Sequence, residues 1–238
     1  MNKGLFVLIA FVCVPTLSTY NHYPNPQDQY VAGTPTQYPY PNQTFSEYSV
    51  GEIITTSKDK DFTKPLVATS GSLTRVTIMI NNVNKRAAYT ESYNFRVLAN
   101  GFDSSGHLVK YTSYKIKMVS FVSVMQPNDK AWAGLHLMGR YQTDDDFYVG
   151  SFRKDGKCTI KKKVGGVYSS LKTIDCSGYS MIGQQVEMDL KFVGNNISFY
   201  LNKNMLGWVN DDSLSWGTAG IRSDYVTHYI TTFKLWSV

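Results

Sequence analysis

The sequence predicts an all-β protein, a two-sheet antiparallel jelly-roll sandwich. Three observations support this prediction. Apolar and polar residues alternate in many short segments, turn-forming residues recur between those segments, and no segment combines a helical period with capping residues. An alternation with a period of two is typical of strands that bury one face, and many such strands in one domain favour a sandwich.

The alternating segments follow one another along most of the chain. The clearest ones begin at Val76, Tyr114, Leu135, Val186 and Ile197. Glycine, asparagine and aspartate separate them, because these residues adopt the backbone conformations that tight turns need. The predicted turns include Asp155-Gly156, Gly165-Gly166, Gly194-Asn195 and Lys203-Asn204.

The first 45 residues differ in composition from the rest. A lysine, an apolar run from Leu5 to Leu17 and small polar residues predict a cleavable signal peptide over residues 1–18. The run is shorter than the roughly 20 residues that span a bilayer, so we expect a secreted, extracellular protein without a membrane anchor. Five prolines and five tyrosines then predict a disordered arm over residues 19–45, either a spacer or an adhesive tail. The sandwich domain is predicted over residues 46–238.

Two cysteines remain after removal of the signal peptide, which contains Cys13. In an oxidising compartment Cys158 and Cys176 most simply form one disulfide. A zinc site needs about four ligands, and no histidine lies near this pair. If the two cysteines face each other across a hairpin that closes at Gly165-Gly166, then Ile160 faces Ile174 and Lys162 faces Lys172.

The basic residues concentrate in this hairpin. Residues 153–172 contain seven basic residues and one acidic residue, a net charge of +6. In the predicted register Lys157, Lys161 and Lys163 line one face, with alternate residues about 6.7 Å apart. That spacing suits the sulfates or carboxylates of an anionic glycan. The alternative is that these lysines protect an edge strand from pairing with other chains.

The segment from Ala133 to Leu235 resembles the concanavalin A-like lectin/glucanase superfamily, which includes laminin G-like domains. The resemblance lies in the order of strands and turns in AGLHLMGRYQTDDDFYVGSF, the lysine-rich hairpin, VEMDLKFVGNNISFYLNKNMLGWV and GTAGIRSDYVTHYITTFKLW. It implies a jelly roll with a concave face on which members of the family bind sugars. A fold by itself does not specify a function.

Two catalytic hypotheses follow from this resemblance. Glucanases of the family carry two glutamates on one strand, and the second is missing after Glu187-Met188-Asp189. In a polysaccharide lyase, His136 would be the base and Arg140 the neutralising cation on one strand face, with Tyr148 pointing the same way.

We therefore expect a non-catalytic protein that binds carbohydrate or extracellular-matrix glycan. His136, Arg140 and Tyr148 are further candidate glycan contacts beside the lysines. The alternatives are a secreted polysaccharide-degrading enzyme and a structural or adhesive protein.

Other candidate sites have weaker patterns. The acidic clusters Asp144-Asp145-Asp146 and Asp211-Asp212 could hold calcium, but they lack the alternation with asparagine and glycine that calcium loops show, so we expect no metal and no cofactor. A lysine-rich hairpin without a known motif for the recognition of nucleic-acid bases gives little support to nucleic-acid binding. Asn42 and Asn196 begin N-glycosylation sequons, which we expect to carry glycans in a eukaryotic host.

Overall fold

The computed structural model describes residues 42–43, 53–56, 58, 66–99 and 111–238. Every regular element in these ranges is a β-strand, which confirms the predicted all-β class. Within the same ranges, no helix has the length and apolarity needed to cross a membrane. The predicted signal peptide and nearly all of the predicted arm lie outside the described residues. Asn42 and Gln43 pair with a strand near the C-terminus, so the paired region begins before residue 46.

The described ranges contain fourteen strands. In chain order they are β1 (Asn42–Gln43), β2 (Ile53–Thr56), β3 (Leu66–Ser70), β4 (Ser72–Ile80), β5 (Val83–Ala99), β6 (Tyr114–Met125), β7 (Gly134–Thr143), β8 (Asp146–Arg153), β9 (Lys157–Val164), β10 (Val167–Asp175), β11 (Gln185–Val193), β12 (Asn196–Leu201), β13 (Asn204–Asn210) and β14 (Thr218–Ser237).

One long strand, β14, belongs to both layers of the sandwich. Its first part, residues 218–224, pairs with β7, and its second part, residues 226–237, pairs with β6. On its other side β14 pairs with β5 from residue 220 to residue 230. The first layer therefore continues from β7 through β8 and β9 to β10, and the second continues from β6 through β11 and β12 to β13.

The two layers pack face to face around a core that both contribute to. Glycines in the first layer make room for aromatic rings of the second. A Cβ atom on Gly139 of β7 would lie 2.3 Å from the Phe192 ring, and one on Gly150 of β8 would lie 2.8 Å from the Phe199 ring. Both rings are fully buried. Close packing at native density leaves no space for extra atoms at such positions.

The disulfide is confirmed, but the predicted register of its hairpin is wrong. Cys158 and Cys176 are bonded, with their Cα atoms 5.7 Å apart. Across the hairpin Cys158 pairs with Ile174, and Ile160 pairs with Lys172. The two-residue turn at Gly165-Gly166 pairs Val164 with Val167, which by itself would place Cys158 opposite Thr173. An irregularity between Ser170 and Lys172 moves this partner by one residue to Ile174, so Cys176 lies two residues further along, just beyond the strand end.

The edge-strand explanation of the lysines is also wrong. Lys157, Lys161 and Lys163 lie on β9, which pairs with β8 on one side and with β10 on the other. The edge strand of this layer is β10, whose one basic residue is Lys172. Lysines on a strand that is paired on both sides do not protect an edge.

Gly139→Ala should lower the free energy of unfolding by about 1–3 kcal/mol, because the new methyl group overlaps the buried Phe192 ring. Urea titration of wild type and variant measures the difference. Gly178→Ala is the matched control, since a Cβ there meets no heavy atom within 4 Å. Equal stabilities of the two variants would contradict the packing of β7 against β11.

Candidate functional site

The outward side of the first layer carries a row of polar residues. We call the outward side of β5, β14, β7, β8, β9 and β10 the front face. Neighbours of the row along the strands, such as Leu135, Leu137 and Phe152, lie in the core, so the row itself points outward. The members of the row, in register across five strands, are Arg96, Arg222, His136, Ser151 and Thr159.

The front face is concave. Arg222 on β14 donates a hydrogen bond from Nη1 to the hydroxyl oxygen of Tyr168 on β10, at 3.1 Å. Three strands lie between β14 and β10, so in a flat sheet the two would be about 19 Å apart. The side chains meet because the sheet curves toward them. The front face is therefore a trough, and Arg222 and Tyr168 reach across it from opposite rims.

Buried polar groups form the floor of the trough. His136 is 6% exposed, and its Nδ1 lies 2.8 Å from the Ser151 hydroxyl. Thr159 is 1% exposed, and its hydroxyl has no hydrogen-bond partner among the described residues. A buried hydroxyl without a partner is costly, so the floor retains unused hydrogen-bonding capacity. Apolar residues continue the floor toward one end, namely Leu98, Met138, Tyr141, Phe147 and Val149.

Asp224 connects the floor to one rim. Its carboxylate accepts hydrogen bonds from Arg222 Nε at 2.9 and 3.1 Å, and it lies 3.2 Å from His136 Nε2. Burial opposes ionisation of Asp224, but hydrogen bonds from His136 and Arg222 and the charge of Arg222 outweigh it and keep the pKa of Asp224 below its usual value. Burial lowers the pKa of His136, and Arg222 and Lys161 lower it further against the opposing effect of Asp224. His136 is therefore neutral at pH 7.

The opposite rim is cationic. Lys161 and Lys163 alternate along β9 and point to the front face, as predicted, because they pair with the outward residues Val149 and Phe147. Lys163 binds Asp145 at 2.7 Å and lies over the Tyr168 ring. Lys161 forms no ion pair with a described residue. Burial lowers the pKa of Lys161, and the charge of nearby Arg153 lowers it further.

Arg140 and Tyr148 do not belong to the front face, so the prediction that they share a face with His136 is wrong. A backbone irregularity in β7, where Arg140 has φ of 46°, turns its side chain inward. The guanidinium donates to the carbonyl oxygens of Leu214, Thr112 and Gly194. Tyr148 is fully buried, and its hydroxyl donates to the Asp211 carboxylate. Both side chains hold neighbouring loops in place.

The acidic clusters are engaged with protein groups. Asp144 bonds Arg96, Asp145 bonds Lys163, and Asp211 bonds Lys162 at 2.7 Å. The described residues contain no group of three or more histidine, cysteine, aspartate or glutamate side chains that could hold a metal ion. Asp189, which belongs to the incomplete glucanase pattern, does not lie on a solvated face. It is 2% exposed and binds Lys115 at 3.0 Å.

Sequence reasoning missed the residues that close the trough. Arg222 and Asp224 lie near the start of β14, which begins at Thr218. Opposite charges two residues apart in a strand share one face, so this spacing was a usable signal. Tyr168 gave no such signal, because its contact with Arg222 depends on the curvature of the sheet.

Comparison with known proteins establishes the fold. No family model matches the chain, and no curated protein matches it. Similar solved structures include the carbohydrate-binding module CBM66 from Bacillus subtilis, with a TM-score of 0.54 and 11% identity over 73% of this chain and 96% of that one. The exoplasmic/lumenal domain of VIP36 in its Ca²⁺/Man-bound form has a TM-score of 0.50 and 8% identity, covering 70% of this chain and 82% of that one. The fold is thus a lectin/glucanase-like jelly roll, as the resemblance implied.

A second histidine lies in the core below the front face. His228 is fully buried, with Nδ1 2.7 Å from the Ser120 hydroxyl and Nε2 3.0 Å from the Ser223 hydroxyl. Burial lowers the pKa of His228 to about 3, and the proximity of His136 contributes in the same direction. The folded protein therefore keeps this ring neutral where an unfolded chain would protonate it.

The free energy of unfolding should fall as the pH drops from about 6.5 toward 3. In that interval the unfolded chain binds a proton at His228 that the folded chain does not, which removes up to about 1.4 kcal/mol per pH unit. Urea titrations at several pH values measure the slope. His228→Gln retains a polar group between the serines and should reduce the slope. An unchanged slope would show that His228 does not titrate in this way.

Proposed function

We propose that this protein is a secreted, non-catalytic carbohydrate-binding protein whose front face binds an anionic glycan. The observation that carries the proposal is the trough itself, which combines an apolar floor, buried hydrogen-bonding groups and a cationic rim. Binding sites for small ligands are commonly concave and largely apolar, with a few polar groups that fix orientation. The relatives in fold support the class of ligand, since one is by name a carbohydrate-binding module and the other was solved with mannose.

The charges of the trough favour an acidic ligand. Arg222 neutralises the charge of Asp224. The other basic residues of the trough lie at or beside β9, and they are Arg153, Lys157, Lys161 and Lys163. Asp155 pairs with Arg153 and Asp145 pairs with Lys163, while Lys157 and Lys161 form no ion pair with a described residue. A sulfate or carboxylate on a sugar would give Lys161 the anionic partner that it lacks.

Hydrolysis is the second candidate, because Ser151, His136 and Asp224 form a connected chain with the composition of a hydrolase triad. Two observations weigh against it. Ser151 is 4% exposed, which leaves little access for a substrate carbonyl. Ser151 also lies within ladders on both sides, where backbone amides pair with neighbouring strands and do not form an oxyanion hole. Labelling of Ser151 by a fluorophosphonate, or release of reducing ends or unsaturated uronates from a polysaccharide panel, would favour the enzyme.

The triple variant Lys157→Gln, Lys161→Gln and Lys163→Gln should lose at least about tenfold in affinity for heparin, which is about 1.4 kcal/mol. The wild-type affinity should fall steeply with salt, since exposed charges are screened within about 8–10 Å. Retention on immobilised heparin at two salt concentrations, with melting temperature as a check on folding, measures both effects.

The matched control is Lys130→Gln, Lys172→Gln and Lys191→Gln, which removes the same charge away from the front face. It should retain wild-type affinity. Equal losses in the two triple variants would show that net charge alone causes retention. An unchanged affinity of the front-face variant would overturn the proposed site.

A further inference from the structure

A second concave site lies on the opposite side of the sandwich. It is an open cleft of about 840 Å³, within the range typical of ligand sites. Val119 and Glu187 line it, and they alternate with core residues such as Met118 and Met188, so the cleft lies on the outward side of the second layer. The front face is on the outward side of the first layer.

The cleft results from a fork between two strands. β5 pairs with β14 up to the pair Ala88 and Ile230, and before residue 88 its one partner among the described strands is β4. β14 continues along β6 beyond Ile230, so the two strands diverge there. The floor at the fork is fixed by an irregularity at Thr231, whose hydroxyl donates to the Val119 carbonyl at 3.2 Å.

The far wall of the cleft is also fixed by hydrogen bonds. Asn202 and Lys203 form the turn between β12 and β13, with φ of 49° and 70°. The Asn202 backbone N–H donates to the Glu187 carbonyl at 2.7 Å, and the Glu187 N–H donates to the Asn202 side-chain oxygen at 2.9 Å. This reciprocal pair holds the turn against β11, so Lys203 projects from a preorganised position.

Both walls carry cations without anionic partners. Lys85 and Arg86 lie on the β5 side, and Lys203 lies on the side of the β12–β13 turn. None of the three forms an ion pair within the described part of the chain. Glu187 is the one acidic residue of the lining, and Lys117 already binds its carboxylate. The cleft therefore has an excess of positive charge on opposing walls, which attracts an anion.

The rest of the lining favours a sugar. It consists of amides and hydroxyls, with Val119 as its single apolar side chain, and the members are Asn84, Gln185, Asn202, Thr231 and Thr232. Amides and hydroxyls both donate and accept hydrogen bonds, as sugar hydroxyls require. The lining has no aromatic ring on which a nucleic-acid base could stack, and no apolar pocket that would anchor a peptide side chain.

We infer that this cleft is a second carbohydrate site, which takes an acidic oligosaccharide through Lys85, Arg86 and Lys203. It extends the proposed function, because it assigns a ligand of the same class to a separate place on the molecule. The two sites lie on opposite outward faces, so one short oligosaccharide occupies one site only.

The test is calorimetric titration of the full chain with a heparin-derived tetrasaccharide. Wild type should bind two equivalents, and the front-face triple variant should bind one. Adding Arg86→Gln and Lys203→Gln to that triple variant should remove the remaining binding. Lys130→Gln with Lys172→Gln, added instead, removes the same charge away from the cleft and should leave one equivalent. Melting temperatures identify any variant that fails to fold.

The outcomes separate the two sites. If the front-face triple variant lost all binding, the cleft would be overturned as a second site. The cleft would also be overturned if the triple variant kept binding and the addition of Arg86→Gln and Lys203→Gln did not change it. If the front-face triple variant still bound two equivalents, the front-face site would be overturned. The cleft would still be supported in that case if Arg86→Gln and Lys203→Gln, introduced alone into wild type, removed one equivalent. Equally tight cleft binding of an oligo-glutamate peptide or a single-stranded oligonucleotide would overturn its assignment to carbohydrate.

Discussion

The architecture depends on one constraint, which is that β14 must leave one layer and enter the other without losing its pairing to β5. It does so at Tyr225, which has φ of 56°, a left-handed conformation that non-glycine residues seldom adopt. The pairing with β7 ends at Asp224 and the pairing with β6 begins at Val226. Rings from Tyr93 and Trp132 pack against Tyr225 at 5.5 and 5.7 Å, and such contacts compensate for a strained backbone.

Both candidate sites follow from this strand crossing. Before Tyr225 the strand presents Arg222 and Asp224 to the front face, next to His136 of β7. After it, the strand follows β6 while β5 departs, and the gap between them is the cleft. The core below the crossing is partly polar, since His228 bonds serines of β6 and of β14 itself. A satisfied polar group at such a place favours one register over others, because a shifted strand would leave the imidazole buried without partners.

The sequence predicted what depends on local alternation and missed what depends on long-range geometry. The sequence predicted strands such as β6, β11 and β12, the glycine turns and the disulfide. These features could be predicted because the alternation of apolar residues and the preferences of turn residues act over a few positions. The outward direction of Lys161 and Lys163 followed from the same period. Arg140 did not, since its backbone irregularity carries no compositional mark. The hairpin register follows from the Gly165-Gly166 turn, which the sequence marks, and from a one-residue irregularity beside Leu171, which it does not. The contact between Arg222 and Tyr168 required knowledge of strand order and curvature together.

Curvature is also what gives the front-face residues their properties. On a flat sheet His136 and Asp224 would be solvated, and their pKa values would stay close to those of exposed groups. In the trough, long side chains from both rims cover them, so burial keeps His136 neutral while Arg222 keeps Asp224 ionised. The floor thus carries hydrogen-bonding groups without net charge, and the positive charge without an ion-pair partner among the described residues is left at the β9 rim on Lys157 and Lys161. Because the rim side chains cover this floor, a ligand of the proposed class would meet the rim first, and the charges of the rim would decide which substituents are attracted.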